Sequence, residues 1–567
     1  MQKIRQNVSS NTVVGHFRSA MTRDDSDRPR RWLLPPVLHI IASAARQSSS
    51  SVLRGKRWAA IAFALLAAAV SLPSAAVSDP LSVRFLGPTG RILRPATLKA
   101  DAMSDSGRIV AVTFLLDGVP LGSDTTSPYA LSLNPGLLRP GRHSLRVEAV
   151  DNHGRRGSTG PITVRTARYR MRMLTTSPHR GLRRALTALR HGGVTVRLRP
   201  GRYRLNHIEI GDATRLLGAG PRTVISPPRG KRYWALLIAK GRGIVISDLT
   251  LDGGGPGRGA GIAVAVFDGS RNVRLSRLHM IHVRTHGVNV WGSHANVSVQ
   301  DSQIEGDGNG DAGVFALGSD RSRDTSVIRT RIRGFRSYGI LLAQRNYGRP
   351  AAAMHGLALD NVISDIRDPA RDACTYAPRT TPKCGTNEGG IWTGGVEAAI
   401  IGNTIRRARW DGIETVGSST KTTVVGNKIK DTRTGIYVEH STNDSLFSRN
   451  LVVDTRTGIN VEWWHDGVGS SRNTFTFNHI VSAKRSGLFV DVGDDANRII
   501  GNTFVGGARP AIVLQGSSRN VVRENRGCQG NGDLVRERSG NRDGGGRAEA
   551  KKNRLVDNTV SRSCRAR

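Results

Sequence analysis

The sequence predicts an all-β protein, a right-handed parallel β-helix of roughly 11–13 coils behind a small β-sandwich. Three observations carry that prediction. The first is a repeat that opens on glycine, at Gly261, Gly287, Gly313, Gly339, Gly390, Gly412, Gly435, Gly458 and Gly487, with Ala511 in the same place. Each start is followed by an apolar residue, any residue, and usually a second apolar one. The intervals are 26, 26, 26, 51, 22, 23, 23, 29 and 24 residues, so the long one holds a missing rung with an insertion or two rungs with a degenerate start. The second is an asparagine series in phase with it, Asn403, Asn427, Asn450, Asn478, Asn502 and Asn525. Stacked turn amides bonding along an axis explain such a series structurally. The third is that the apolar spacing is two rather than 3.6, with Gly, Asn and Val where a helix would have to run.

Composition agrees. The 567 residues are 38% hydrophobic, too apolar for disorder, and 66 glycines beside 23 prolines without a G-X-Y period exclude collagen and linker-type sequence. The net charge is +40, which attracts nucleic acid, anionic lipid or an acidic polysaccharide. Because the arginines are spread through every segment, no specific nucleic-acid surface is expected.

At the N-terminus Arg54, Lys56 and Arg57 precede the uncharged run 58–78, whose core AAIAFALLAAAV is followed by Pro73 and small residues. This reads as a secretory signal peptide within a leader at 1–76, and hence export; the alternative is an uncleaved anchor at 58–78 that ties the chain to a membrane. Val52 is a candidate true start, so 1–51 carries no fold prediction. An exported chain can hold disulfides, and the four cysteines pair by proximity as Cys374 with Cys384 and Cys528 with Cys564. No C-x-x-C or nearby histidine makes either pair a zinc site.

Residues 80–165 alternate with period two and turn about every ten residues, with an Asp117-Gly118 hairpin signal. The stretch VTFLLDGVPLGSDTTSPYALSLN, continuing to LRPGRHSLRVEAVDNHGRRGS, resembles bacterial immunoglobulin-like domains, which implies a spacer or attachment module. Asp151 and His153 read as turn residues. After a linker at 166–180, Leu182, Ala185, Leu186 and Leu189 share one helical face, an amphipathic cap for the solenoid that occupies 181–567. The cap, the RPG-linked strands and the G-I-x-V and N-x-I repeats together resemble the pectate-lyase-like superfamily, which implies the β-helix and a carbohydrate-directed activity.

Within each coil the first and third residues after the glycine point inward, and the second and fourth outward. Read down the coils, the fourth column brings Glu439, Glu462 and Asp491 to consecutive rungs about 4.8 Å apart, with Glu414 one coil earlier on the second column. Like charges that close raise a pKa or call for a cation, so these four are the candidate catalytic acids and the first three a candidate calcium set; no cofactor is otherwise required. Aromatic faces beside acids suit sugar rings, and Trp392, Tyr437, Trp463 and Trp464 are the candidate binding residues with Arg433 and Arg456. His440, His465 and Tyr437 are candidate bases for a lyase or C5-epimerase, whereas paired carboxyls suit a glycoside hydrolase.

The polygalacturonase residues occur here in the wrong chain order, and GIYVEHS resembles alginate epimerases only in placing an acid and a histidine after a G-I start. Copper-accessory β-helix proteins share the repeat style, but seven Met residues without a Met/His cluster argue against copper. The insertion at 343–389 and the one at 458–487 are expected to wall a groove over the acids. The expectation is an exported protein that binds an extended acidic polysaccharide and cleaves or epimerises it; the alternative is a non-catalytic surface adhesin or cell-wall scaffold.

Overall fold

The structure, a computed structural model, describes residues 81–93, 96–133, 135, 138, 141–166, 172–255, 259–319, 321–345, 354–366, 389–462, 469–507, 510–528, 533–541 and 547–561. The leader and its two predicted outcomes lie outside them, as do Trp463, Trp464, His465, Cys374, Cys384 and Cys564. Among the described residues no helix is long and apolar enough to cross a membrane. Residues Asp79–Arg567 form one compact unit.

Alternation of buried and exposed side chains builds the sandwich. Three antiparallel strands, Leu81–Phe85, Ala96–Ser104 and Tyr129–Leu133, face a second sheet that centres on Ile109–Leu116 and Gly141–Asp151. Leu98, Phe114, Leu145, Val147 and Val164 fill the space between. Asp151 accepts backbone bonds from His153 and Arg155, so it is the turn residue expected.

The solenoid's sheet opens with the strand Arg172–Thr176, paired in parallel with Val194–Leu198. The stretch read as linker therefore already contributes a strand. Ala185 and Leu189 of the helix Leu182–His191 bury against the first coils, and Leu182 and Leu186 pack beside them, which is the predicted cap.

Each later coil has three short strands; Asp411–Val416, Thr423–Val425 and Lys428–Lys430 make one of them. First strands stack as a 13-stranded parallel sheet, and the others join a 27-stranded one. Parallel crossovers take the right-handed sense. Inside, Ile391, Ile413, Ile436, Ile459, Leu488 and Ile512 stand in register on successive coils, all fully buried. Such a row removes about 2–3 kcal/mol of apolar surface per side chain from water.

The glycine repeat has a steric cause. A Cβ on Gly412 would lie 2.4 Å from Ile429 Cγ2 and 2.6 Å from the Gly435 carbonyl oxygen, where the two sheets close on each other. Asparagines tie the opposite corner. Asn427 accepts at Oδ1 from the Asn403 backbone and side chain, donates to the Ile400 carbonyl, and donates to Asn450 Oδ1, each at 2.9 Å. The ladder runs beyond the predicted series to Asn361 and Asn558, and a second one, Asn473, Asn497, Asn520 and Asn553, runs beside it.

The 51-residue interval is corrected by the register. Tyr338 pairs directly with Gly389 and Ile340 with Ile391, so Gly339 and Gly390 open neighbouring coils. It is one enlarged coil, with neither a missing nor a hidden rung. Its insertions 346–353 and 367–388, like 463–468 in the other expected wall, lie outside the described residues.

The sandwich is docked on the 27-stranded sheet, in contrast to a free spacer. Val110, Ala111 and Val150 form one buried cluster with Ile328, Leu357, Leu359, Ala399 and Ile401. Gln300 Nε2 donates to the Pro120 carbonyl at 2.6 Å, and Arg156 meets Asp360 at 2.8 Å.

Candidate functional site

Strand alternation delivers acids to one stretch of the 13-stranded sheet. Trp392, Glu414, Tyr437, Asn460 and Phe489 stand in register at outward positions on successive coils. At the strand ends the backbone amides of Glu439, Glu462 and Asp491 donate to Thr415, Val438 and Val461 one coil earlier, so the predicted column exists.

A further carboxyl joins it. Asp411, just before the repeat glycine, faces outward in register with Gly389 and Thr434. Counting from the glycine gives Asp411 the parity of the first and third residues, the inward set, so the sequence period does not signal it; the structure alone brings it beside Glu414, Glu439 and Glu462.

Asp411, Glu414, Glu439 and Glu462 are only 1–8% exposed. Burial pushes the Asp411 carboxyl up to about 8, with Glu439 and Glu462 adding to the rise and Thr434 and Arg433 opposing it. Glu414 is pushed well above the carboxylate range by burial, then by Asp411 and Glu439, against a hydrogen bond from the Trp392 indole. Burial also raises the Tyr437 phenol, and all four carboxyls push it further. Both effects favour the protonated phenol. It donates to Glu462 Oε2 at 3.4 Å, an oxygen that also accepts from Asn460 Nδ2 at 2.9 Å. His440 Nδ1 lies 3.3 Å from Glu439 Oε1.

Asp491 stands apart. Gln515 Nε2 donates to it at 2.9 Å and the Val492 amide at 2.8 Å. Among the described residues no three His, Cys, Asp or Glu side chains form a group able to hold a metal ion. Below them Asp494 is fully buried and its carboxyl raised by burial, then by Asp491 and Glu462, against the Ser470 amide that donates to it at 2.6 Å.

Trp392 is no open platform. Only 5% exposed, it packs with Leu341, Ala343 and Val416, its ring centroid 6.1 Å from that of Tyr338. Outward on a strand is not the same as exposed. The arginines fare differently: Arg433, Arg456 and Arg485 are exposed on successive coils along one edge of the acids, and the Arg433 guanidinium lies 4.0 Å over the Trp410 ring. Cys528 is buried and is not a free thiol.

This arrangement can donate a proton from a carboxyl held neutral near pH 7, present a second carboxylate fixed by hydrogen bonds, and neutralise an anion along the arginine edge.

Comparison with known proteins gives two family matches. The profile described as "Periplasmic copper-binding protein (NosD)" matches residues 379–563, and that described as "Bacterial Ig domain" matches residues 73–147. Copper does not fit the described part of the first stretch, which offers no three-ligand group. No curated protein matches the chain. Among solved structures, the family 28 exopolygalacturonase of Yersinia enterocolitica is 11% identical, over 85% of this chain and 98% of its own, with a TM-score of 0.46. The A-module of a mannuronan C-5 epimerase from Azotobacter vinelandii is 14% identical, over 66% of this chain and 91% of its own, with a TM-score of 0.40. The catalytic unit of an α-1,3-glucanase from Streptomyces thermodiastaticus is 12% identical, over 73% and 83%, with a TM-score of 0.39.

Proposed function

We propose that the chain is an exported carbohydrate-active protein whose acid cluster cleaves an extended acidic polysaccharide. The observation that carries this is the group of Asp411 and Glu414 on one coil with Glu439 and Glu462 on the next two, two of the four with raised carboxyl pKa values, beside an exposed arginine edge. Glycosidic cleavage needs one carboxyl protonated to supply the leaving oxygen and another ionised to act as nucleophile or base. Glu414, with Asp411 behind it, is the proton donor in this reading. Glu462, braced by Tyr437 and Asn460, is the second carboxylate, and Glu439 lies between them. Arg433, Arg456 and Arg485 face the substrate's carboxylates. Among the described residues a lyase or epimerase base would fall to His440, whose Nδ1 lies 3.3 Å from Glu439 Oε1.

A second reading, a binding scaffold, draws on the same burial, because acids at 1–8% exposure offer little open surface to a sugar. Product mass spectrometry separates the two. The full chain is incubated with polygalacturonate, alginate and a neutral glucan; hydrated oligomers from an acidic polymer, reduced at least about 100-fold in Glu462→Gln, support cleavage. Oligomers one water lighter, ending in an unsaturated uronate, would move the reaction to a lyase with His440 as base, and no product from any polymer would favour the scaffold. Export carries the Cys374–Cys384 and Cys528–Cys564 bridges with it as proposals. Non-reducing peptide mapping is expected to find both, and free thiols at these positions would contradict them.

A further inference from the structure

The same sheet carries exposed aromatics far from the acids. Trp234 and Trp291 are each 48% exposed and Phe267 39%. Trp234 meets Phe267 edge to face, ring centroids 5.6 Å apart, and the His207 ring centroid stands 6.4 Å from that of Trp234. Because Val266 pairs with Val290, Phe267 and Trp291 follow as neighbours on adjacent coils. Lys240, exposed, occupies the same column one coil before, since Ala239 pairs with Val266. Single exposed apolar residues are ordinary on a protein surface, whereas a contiguous set of exposed rings marks a binding surface.

Register places this surface in line with the acids. Trp291 pairs with Leu317, Leu317 with Ala343, Ala343 with Gly394 and Gly394 with Val416; the Glu439 amide then bonds to Thr415 on the next coil. Five coil steps separate Trp291 from Glu439, about 24 Å at the strand spacing.

We propose that Trp234, Phe267 and Trp291 form a glycan-stacking platform that holds an acidic polysaccharide at a distance from the acid cluster, so that polymer is retained and short oligosaccharides are not. The inference rests on the glycan reading of that cluster. Ring faces take the C–H faces of sugars, Lys240 supplies the cation, and the net charge of +40 suits a polyanion. The common column gives the bound chain a direction along the solenoid axis.

Calorimetric titration of the full chain with polygalacturonate, alginate and hyaluronan tests it, in about 0.5 M salt so that attraction between exposed charges is screened. Wild type is expected to bind one of the polymers. Trp234→Ala/Trp291→Ala is expected to bind it about tenfold more weakly, the loss of an aromatic contact. Unchanged melting of the double variant shows that its fold is intact. Wild-type affinity in the double variant, or no binding of any polymer by wild type, overturns the platform. Polymer binding by the wild type, weakened in the double variant, while no product forms, leaves the platform standing and removes the cleavage reading alone.

Discussion

Asp411 and Glu414 are carboxyls that folding keeps protonated, and this makes stability depend on pH in a defined direction. In the folded chain Asp411 titrates near 8 against 3.8 for an unperturbed group, so between those values the folded state binds the extra proton. Stability from this group is fully present below about pH 4 and is lost as pH rises toward 8, with a slope of up to about 1.4 kcal/mol per pH unit. Chemical denaturation from pH 5 to 8.5 is expected to show falling stability, and Asp411→Asn to flatten the fall; an equal slope in the variant contradicts the assignment. Asn427→Ala is a harsher change, since Asn403 loses its acceptor and the Ile400 carbonyl its donor, all of them buried. A loss of about 3 kcal/mol in urea unfolding is expected. At this scale the strand period made Glu414, Glu439 and Glu462 legible, because inward and outward sides follow from counting. The burial of Trp392 was not, because it depends on what neighbouring coils and segments lay over the face. Asp411 is not legible for a different reason: strict alternation gives the residue before the glycine the inward parity, and only the local course of the chain at Gly412 brings its carboxyl to the other acids.

Elements repeat here because one steric solution repeats. Wherever the first strand of a coil meets the aliphatic of the next sheet, only hydrogen fits: Gly412 faces Ile429 as Gly390 faces Ile405 and Gly435 faces Val452. Gly412→Ala is expected to cost about 2 kcal/mol through overpacking, and thermal melting of the otherwise unchanged chain measures it. A neutral substitution would mean that the corner can open. The glycine and asparagine periods therefore made coil boundaries readable from residues alone. The enlarged coil between Gly339 and Gly390 was not readable, because an insertion carries no period; only the pairing of Tyr338 with Gly389 shows that the stack continues across it. The second asparagine ladder, Asn473 to Asn553, is not readable from the period, because it spans fewer coils and repeats in phase with the longer series beside it.

For the whole molecule, the docked sandwich changes what the N-terminal region is for. Its apolar patch of Val110, Ala111 and Val150 covers Leu357, Ala399 and Ile401, and Arg108 reaches Glu397 at 3.3 Å. A surface so covered makes the two parts unfold together, in contrast to beads on a linker. Scanning calorimetry is expected to give one transition for the wild type and two for Val150→Asp, which places a charge in the buried seam. Two transitions in the wild type would contradict the coupling. The immunoglobulin-like pattern was legible in the sequence as a domain, but its partner was not, since docking depends on outward residues of coils some 200–290 positions away. The central claim is that the stacked carboxyls act on an acidic polysaccharide. Its most direct test is product mass spectrometry of wild type and Glu462→Gln with polygalacturonate and alginate: hydrated oligomers from the wild type, reduced at least about 100-fold in the variant, are predicted. Equal product from both proteins, or none from either, would contradict it.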